Sequence, residues 1–129
     1  MSEIKTGYTT MPKQWLEKYE ESLEKHITAV QEVGEKLGIR RLQLLAHDSS
    51  KYSIDEFPYY ARQFHGDKGD PTGFANAWNH HVNSNKHHWN YWVYPAGYQV
   101  KGADIQNGAL EMPENYALEM IADWLGSSY

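Results

Sequence analysis

Residues 11–38, MPKQWLEKYEESLEKHITAVQEVGEKLG, decide the fold. Within them Trp15, Tyr19, Leu23, Ile27, Val30, Val33 and Leu37 recur at spacings of four and three, which a helix of 3.6 residues per turn gathers on one face. Thr10 is placed to cap this helix, Pro12 suits its early turn, and Gly34 or Gly38 ends it. His26 lies within the apolar stripe, so the helix carries an imidazole on the side that packs inward.

Outward from this helix the chain reads as all-α. A second helix follows Gly38, with Ile39, Leu42, Leu45 and Ala46 as its apolar residues, and it ends near His47-Asp48. Ser53-Ile54-Asp55-Glu56 has the form of a capping box for a third, short helix that buries Phe57, Tyr60, Ala61 and Phe64, with Pro58 tolerated in the first turn. After the turn-rich stretch from His65 to Pro71, Pro71 or Thr72 starts a fourth helix with Phe74, Ala77, Trp78 and His81 on one side. Asn83, Ser84 and Asn85 then weaken helix propensity. The aromatic segment from His88 to Val100 is broken by Pro95-Ala96-Gly97 into a loop or a short hairpin. Met112-Pro113 leads into a last helix whose inner stripe reads as Tyr116, Ala117, Met120, Ile121 and Trp124. The expected architecture is a bundle of about five helices crossing at angles: one domain over residues 11–129, preceded by a flexible N-terminal arm, residues 1–10.

Composition narrows the function. The chain of 129 residues holds 12 Lys plus Arg against 17 Asp plus Glu, a net charge of −5, which disfavours a protein that grips nucleic-acid backbone. Cysteine is absent, so no disulfide holds the fold. The first residues lack the apolar core of a secretory signal and no long apolar run follows, so the chain is expected to be cytoplasmic and to have no membrane partner.

Seven histidines are the most informative feature: His26, the pair His47-Asp48, then His80-His81 and His87-His88, with Asp123 near the end. Imidazole and carboxylate suit divalent zinc, iron, manganese, nickel or cobalt. An adjacent His-Asp lets the imidazole bind one ion while the carboxylate bridges to a second. His26 and Asp123 complete the first site, and histidines from the two later pairs complete the second. His81 is preferred to His80 because it shares a face with Phe74 and Trp78, whereas His87 and His88 stay unranked. Several buried imidazoles without partners would each cost about 1–3 kcal/mol, which favours ligation over burial of the set as ordinary core groups.

This order of residues resembles the HD superfamily of metal-dependent phosphohydrolases, whose signature is a histidine, a His-Asp dyad, further histidines in two-metal members, and a distal aspartate. His47-Asp48-Ser49-Ser50-Lys51 is similar to the His-Asp-x-x-Lys form of HD-GYP cyclic-dinucleotide phosphodiesterases, although the Gly-Tyr-Pro sequence is missing here. The chain also resembles a family of small phage and bacterial proteins without an assigned activity, sharing His-Asp-x-Ser-Lys, Asn-x-His-His-Trp and a final Glu-Met-Ile-Ala-Asp-Trp, over residues 26 to 125.

The resemblance implies an HD-like helical fold, two divalent ions on His26, His47, Asp48, His81, His87, His88 and Asp123, and hydrolysis of a nucleotide or other small phosphate ester by a metal-activated water. Lys51 then contacts a phosphate as a point charge. Glu56 either orients water or protonates the leaving group, or else only completes the capping box. Glu119 reads first as a solvated helix face and second as an outer partner of a ligand histidine. Trp89 is expected in the core, and Tyr98 in a substrate pocket. The same ligands also fit an HD-like mixed-valent di-iron oxygenase or a non-catalytic metal-containing binding module, and the sequence leaves a homo-oligomer open.

Overall fold

The computed structural model describes residues 11–95, 97 and 100–127. The expected N-terminal arm, the Thr10 cap and Tyr98 lie outside the described residues. Five α-helices make up the bundle: α1 (Lys13–Lys36), α2 (Arg41–Ala46), α3 (Phe57–His65), α4 (Pro71–Ser84) and α5 (Glu114–Gly126). Short 3-10 turns run over Ser49–Tyr52 and Trp89–Trp92, and a two-stranded hairpin pairs β1 (Ile105–Gln106) with β2 (Ala109–Leu110). Its turn is Asn107-Gly108, both at positive φ (53° and 77°). Asparagine and glycine accept that conformation, which a two-residue hairpin requires.

The long helix α1 is the spine, with α3 and α5 as its main neighbours and α4 packed on α3. Two apolar clusters form along it. Tyr19, Leu23, Phe57, Tyr60, Ala61 and Ala77 join α1, α3 and α4, whereas Val30, Ile39, Leu44 and Ala122 join α1 and α5 to the segment carrying α2. His26 sits on α1 between Leu23 of the first cluster and Val30 of the second, so the stripe delivers a polar group to the seam between two apolar bodies. Among the described residues no helix is long and apolar enough to cross a membrane.

Two helical faces, the expected cap of α3 and Phe64, which is 57% exposed where burial was expected, differ from the sequence reading. In α2 the buried leucine is Leu44, packed against Gly34, while Leu42 and Leu45 are exposed; a helix of six residues is too short for periodicity to fix its phase. In α5 the buried residues are Glu119, Ala122 and Gly126, with Ile121 and Trp124 exposed. Its inner face is thus polar or small, rotated from the apolar stripe. The capping box is absent: Glu56 precedes α3 without a side-chain cap bond, and the Ser53 hydroxyl is buried without a hydrogen-bond partner. By contrast, Asp70 caps α4 as its side chain accepts from the Gly73 N–H at 2.9 Å.

Gly126 sets how closely α5 approaches α1. A Cβ there would stand 2.7 Å from Val30 Cγ2 and 3.0 Å from the Val30 backbone nitrogen, and a backbone atom cannot rotate away. In Gly126→Ala, overpacking costs about 1–3 kcal/mol against a gain of at most about 1 kcal/mol in helix propensity. The denaturant midpoint should therefore fall with an unchanged m value. A midpoint that holds or rises would mean that α5 shifts freely along α1.

Candidate metal centre

Distant segments converge at the seam. α1 brings His26. His47 follows the last residue of α2, and Asp48 then adopts a left-handed backbone (φ 55°, ψ 20°). Such a conformation costs a non-glycine residue about 1–2 kcal/mol, though aspartate is among the residues that tolerate it. It stops α2 and leaves both His47 and Asp48 buried, although they are adjacent in sequence. α4 brings His81, and the extended Asn85 (φ −123°, ψ 111°) ends that helix so that His87 and His88 return to the same place. α5 brings Glu119 and Asp123, one turn apart.

The Asp48 carboxylate is the centre of the cluster. Its Oδ2 faces His26 Nε2 and His47 Nε2, each at 3.3 Å, and Lys51 Nζ at 3.1 Å. Its Oδ1 faces His87 Nε2 at 3.0 Å and His81 Nε2 at 3.4 Å. Asp123 Oδ1 closes the first group, 2.9 Å from His26 Nε2 and 3.3 Å from His47 Nε2. Two sets of four result, His26, His47, Asp48 and Asp123 on one side and Asp48, His81, His87 and His88 on the other. Within each set the candidate ligand atoms lie within 4.8 Å of one another.

Carboxylates behind the imidazoles fix their orientation. His47 Nδ1 donates to Glu119 Oε2 at 2.6 Å and His87 Nδ1 to the same oxygen at 2.9 Å. His81 Nδ1 donates to Glu56 Oε1 at 2.7 Å, and His80 Nδ1 to Glu56 Oε2 at 2.6 Å. A carboxylate only accepts, so each of these rings carries a proton on Nδ1, and His47, His81 and His87 turn Nε2 towards Asp48. Gln43 Nε2 in turn donates to Glu119 Oε1 at 2.7 Å.

These inward atoms lack ordinary partners. His47 Nε2, His87 Nε2 and both Asp48 oxygens are buried without a hydrogen-bond partner. Lone pairs turned towards carboxylate oxygens repel unless a cation or a proton lies between them, and the nitrogen and oxygen donor set fits zinc, iron, manganese, nickel or cobalt. Protons play that part in the metal-free chain. Burial pushes the His47 pKa down, but the neighbouring carboxylates of Asp123, Asp48 and Glu119 prevail and carry it up to about 11. His26 and His87 are raised in the same manner, against burial, by their carboxylate neighbours. Burial opposes ionisation of Glu119, yet its bonds to His47, His87 and Gln43 bring it down to about 2. His88, pushed down to about 4 by burial and by the charges of His87 and His81, stays neutral.

A cavity of about 1050 Å³ opens onto the cluster, lined in its depth by Asp48, His81 and His87, with His26, His88, Asp123 and Lys51 beside them. All seven residues expected as metal ligands come together, and Lys51 joins them. Glu56 does not line the cavity. It is fully buried behind His80 and His81, so the geometry makes it a positioning group with no access to a leaving group, and removes it from the expected capping box. Glu119 is buried, contrary to the solvated face read from sequence. Trp89 is 61% exposed, which corrects its expected place in the core. Ser50 and Asn85, which bond each other at 2.7 Å beside His81 Nδ1, were not singled out by their sequence context.

The sign of these shifts predicts how stability depends on pH. Above the ordinary histidine value of 6.5, the unfolded chain has lost protons that His26, His47 and His87 still hold when folded, so stability falls as pH rises, for His47 until about pH 11. Below 6.5, protonation of His88 in the unfolded chain, and below 4.5 that of Glu119, removes stability as pH falls. Chelator-treated protein should thus melt highest near pH 6.5 and lower on both sides. A melting temperature still climbing at pH 8 would contradict the protonated imidazoles.

No curated protein and no solved structure matches the chain. A family model does match over residues 16–129, a span that contains every ligand candidate from His26 to Asp123, and the chain belongs to that family, DUF5662, a family of unknown function.

Proposed function

We propose that the protein is a metal-dependent phosphohydrolase that cleaves a nucleotide or another small phosphate ester. The observation that carries this reading is the buried Asp48 carboxylate, with each oxygen turned to a different group of histidines at the base of a large cavity and with Lys51 at 3.1 Å. His26, His47, Asp48 and Asp123 would hold one divalent ion, and Asp48, His81, His87 and His88 a second. The HD-like order of these residues supports the same reading.

Ions in those positions would supply a nucleophilic water at neutral pH and neutralise charge on the phosphoryl oxygens. The rest falls to the chain. Lys51 offers a point charge to a phosphate oxygen. Glu119 and Glu56 hold three imidazoles with Nε2 forward, which fixes the direction of the candidate ligand atoms. In the overall reaction the water oxygen bonds to phosphorus, the ester P–O bond breaks, and the alcohol departs with a proton.

Elemental analysis combined with an assay over phosphomonoesters, nucleotides and cyclic dinucleotides tests the proposal. Wild-type protein should hold two divalent ions per chain and turn over at least one of these substrates. His47→Ala should lose at least one ion and melt at lower temperature, because binding and folding are coupled. Lys51→Ala should keep both ions and lose tenfold or more in kcat/KM, equivalent to about 1.4 kcal/mol of transition-state stabilisation. Two ions without turnover of any substrate would sink the hydrolase, and an oxygen-sensitive mixed-valent signal from an iron-loaded sample would favour the oxygenase.

A further inference from the structure

The wall of the cavity differs chemically from its base. Phe64 of α3, Phe74 and Trp78 of α4, Trp89 after His88, and Met120 and Trp124 of α5 line it. Four of these aromatic side chains keep much of their surface exposed: Phe64 57%, Trp78 45%, Trp89 61% and Trp124 58%. Three of the chain's five tryptophans therefore stand around one opening. A concentration of exposed aromatic surface at a cavity marks a place where apolar ligand surface is buried.

Apolar and aromatic side chains outnumber the charged and amide groups on this wall. Outside the histidine and carboxylate cluster, the hydrogen-bonding side chains on the lining are those of Tyr19, Ser22, Lys25, Lys51, Tyr60, Asn90 and Ser127, with the indole N–H groups of Trp78, Trp89 and Trp124. Four of them have partners within the chain. Lys25 pairs with Glu21 at 3.3 Å, Lys51 with Asp48 at 3.1 Å, the Tyr60 hydroxyl donates to the Ala77 carbonyl at 3.1 Å and the Ser127 hydroxyl to the Asp123 carbonyl at 2.8 Å. The volume of about 1050 Å³ far exceeds a phosphate group and reaches the upper end of small-molecule sites, which span about 300–1000 Å³.

We infer that the ligand is an amphiphile, a phosphate monoester whose organic group is apolar, with its phosphate at the Asp48 cluster and its apolar group against the Phe64, Trp78, Trp89 and Trp124 wall. This rests on the reading of the cluster as a phosphate-binding metal centre and specifies the substrate class within it. Each buried methylene contributes about fourfold in affinity, so chain length is the variable that reads the wall.

The test is tryptophan fluorescence titration of the protein as purified, with methyl-, butyl- and octylphosphonate, octanol and adenosine monophosphate, alongside hydrolysis of methyl and octyl phosphate. Affinity should rise at least tenfold from methyl- to octylphosphonate, octanol should bind at least tenfold more weakly than octylphosphonate, and Trp89→Ala and Phe64→Ala should each flatten the length dependence severalfold. Two substitutions on different elements guard against one that perturbs folding. A flat series, equal binding of octanol and octylphosphonate, or tighter binding of adenosine monophosphate than octylphosphonate would overturn the inference. Length-dependent phosphonate binding without hydrolysis of either ester would uphold this ligand class while removing the hydrolase reading, so the two can fail separately.

Discussion

A single buried carboxylate organises this protein. Asp48 is 1% exposed, and its two oxygens face His26 of α1, His47 after α2, His81 of α4 and His87 in the loop after α4. An anion removed from water in this way is costly unless positive charge surrounds it. Protonated imidazoles and Lys51 hold the Asp48 pKa well below the usual carboxylate range against the effect of burial. Divalent ions would do the same with the imidazoles neutral, and would release the protons those rings otherwise hold.

The apolar structure makes room for this polar centre without itself being polar. Two hydrophobic clusters lie along α1, one below His26 and one above it. The close approach of α5 to Val30 through Gly126 keeps Asp123, three residues earlier, beside His26. Glu119, one turn before Asp123, bonds His47 and His87, which belong to different candidate ligand sets. A shift of α5 would therefore disturb both sets together, which links the fit of two helices to the geometry of the whole centre.

Much of the centre was legible in the sequence because its residues fall where the apolar pattern points. His26 lies in the stripe of α1, and His81 follows the phase of α4. The other parts were hidden by the same logic. In α5 the buried face is Glu119, Ala122 and Gly126, so apolar periodicity pointed to Ile121 and Trp124, which are exposed. Glu56 matched a capping box, but two histidines claimed its carboxylate. His87 and His88 could not be ranked because their shared inward placement depends on Asn85 leaving the helix. Asn107-Gly108 is a hairpin signal that the sequence carries openly. Patterning by hydrophobicity fails where polar groups are buried together, and those failures fall at the candidate site.

The proposed function depends on Asp48 lying between two cations. Anomalous diffraction from crystals of the manganese-loaded protein tests this most directly. The account predicts two peaks about 3.5–4 Å apart, one on each side of the Asp48 carboxylate, with His26, His47 and Asp123 at the first and His81, His87 and His88 at the second. A single peak away from Asp48, or none in protein shown to be folded, would contradict it.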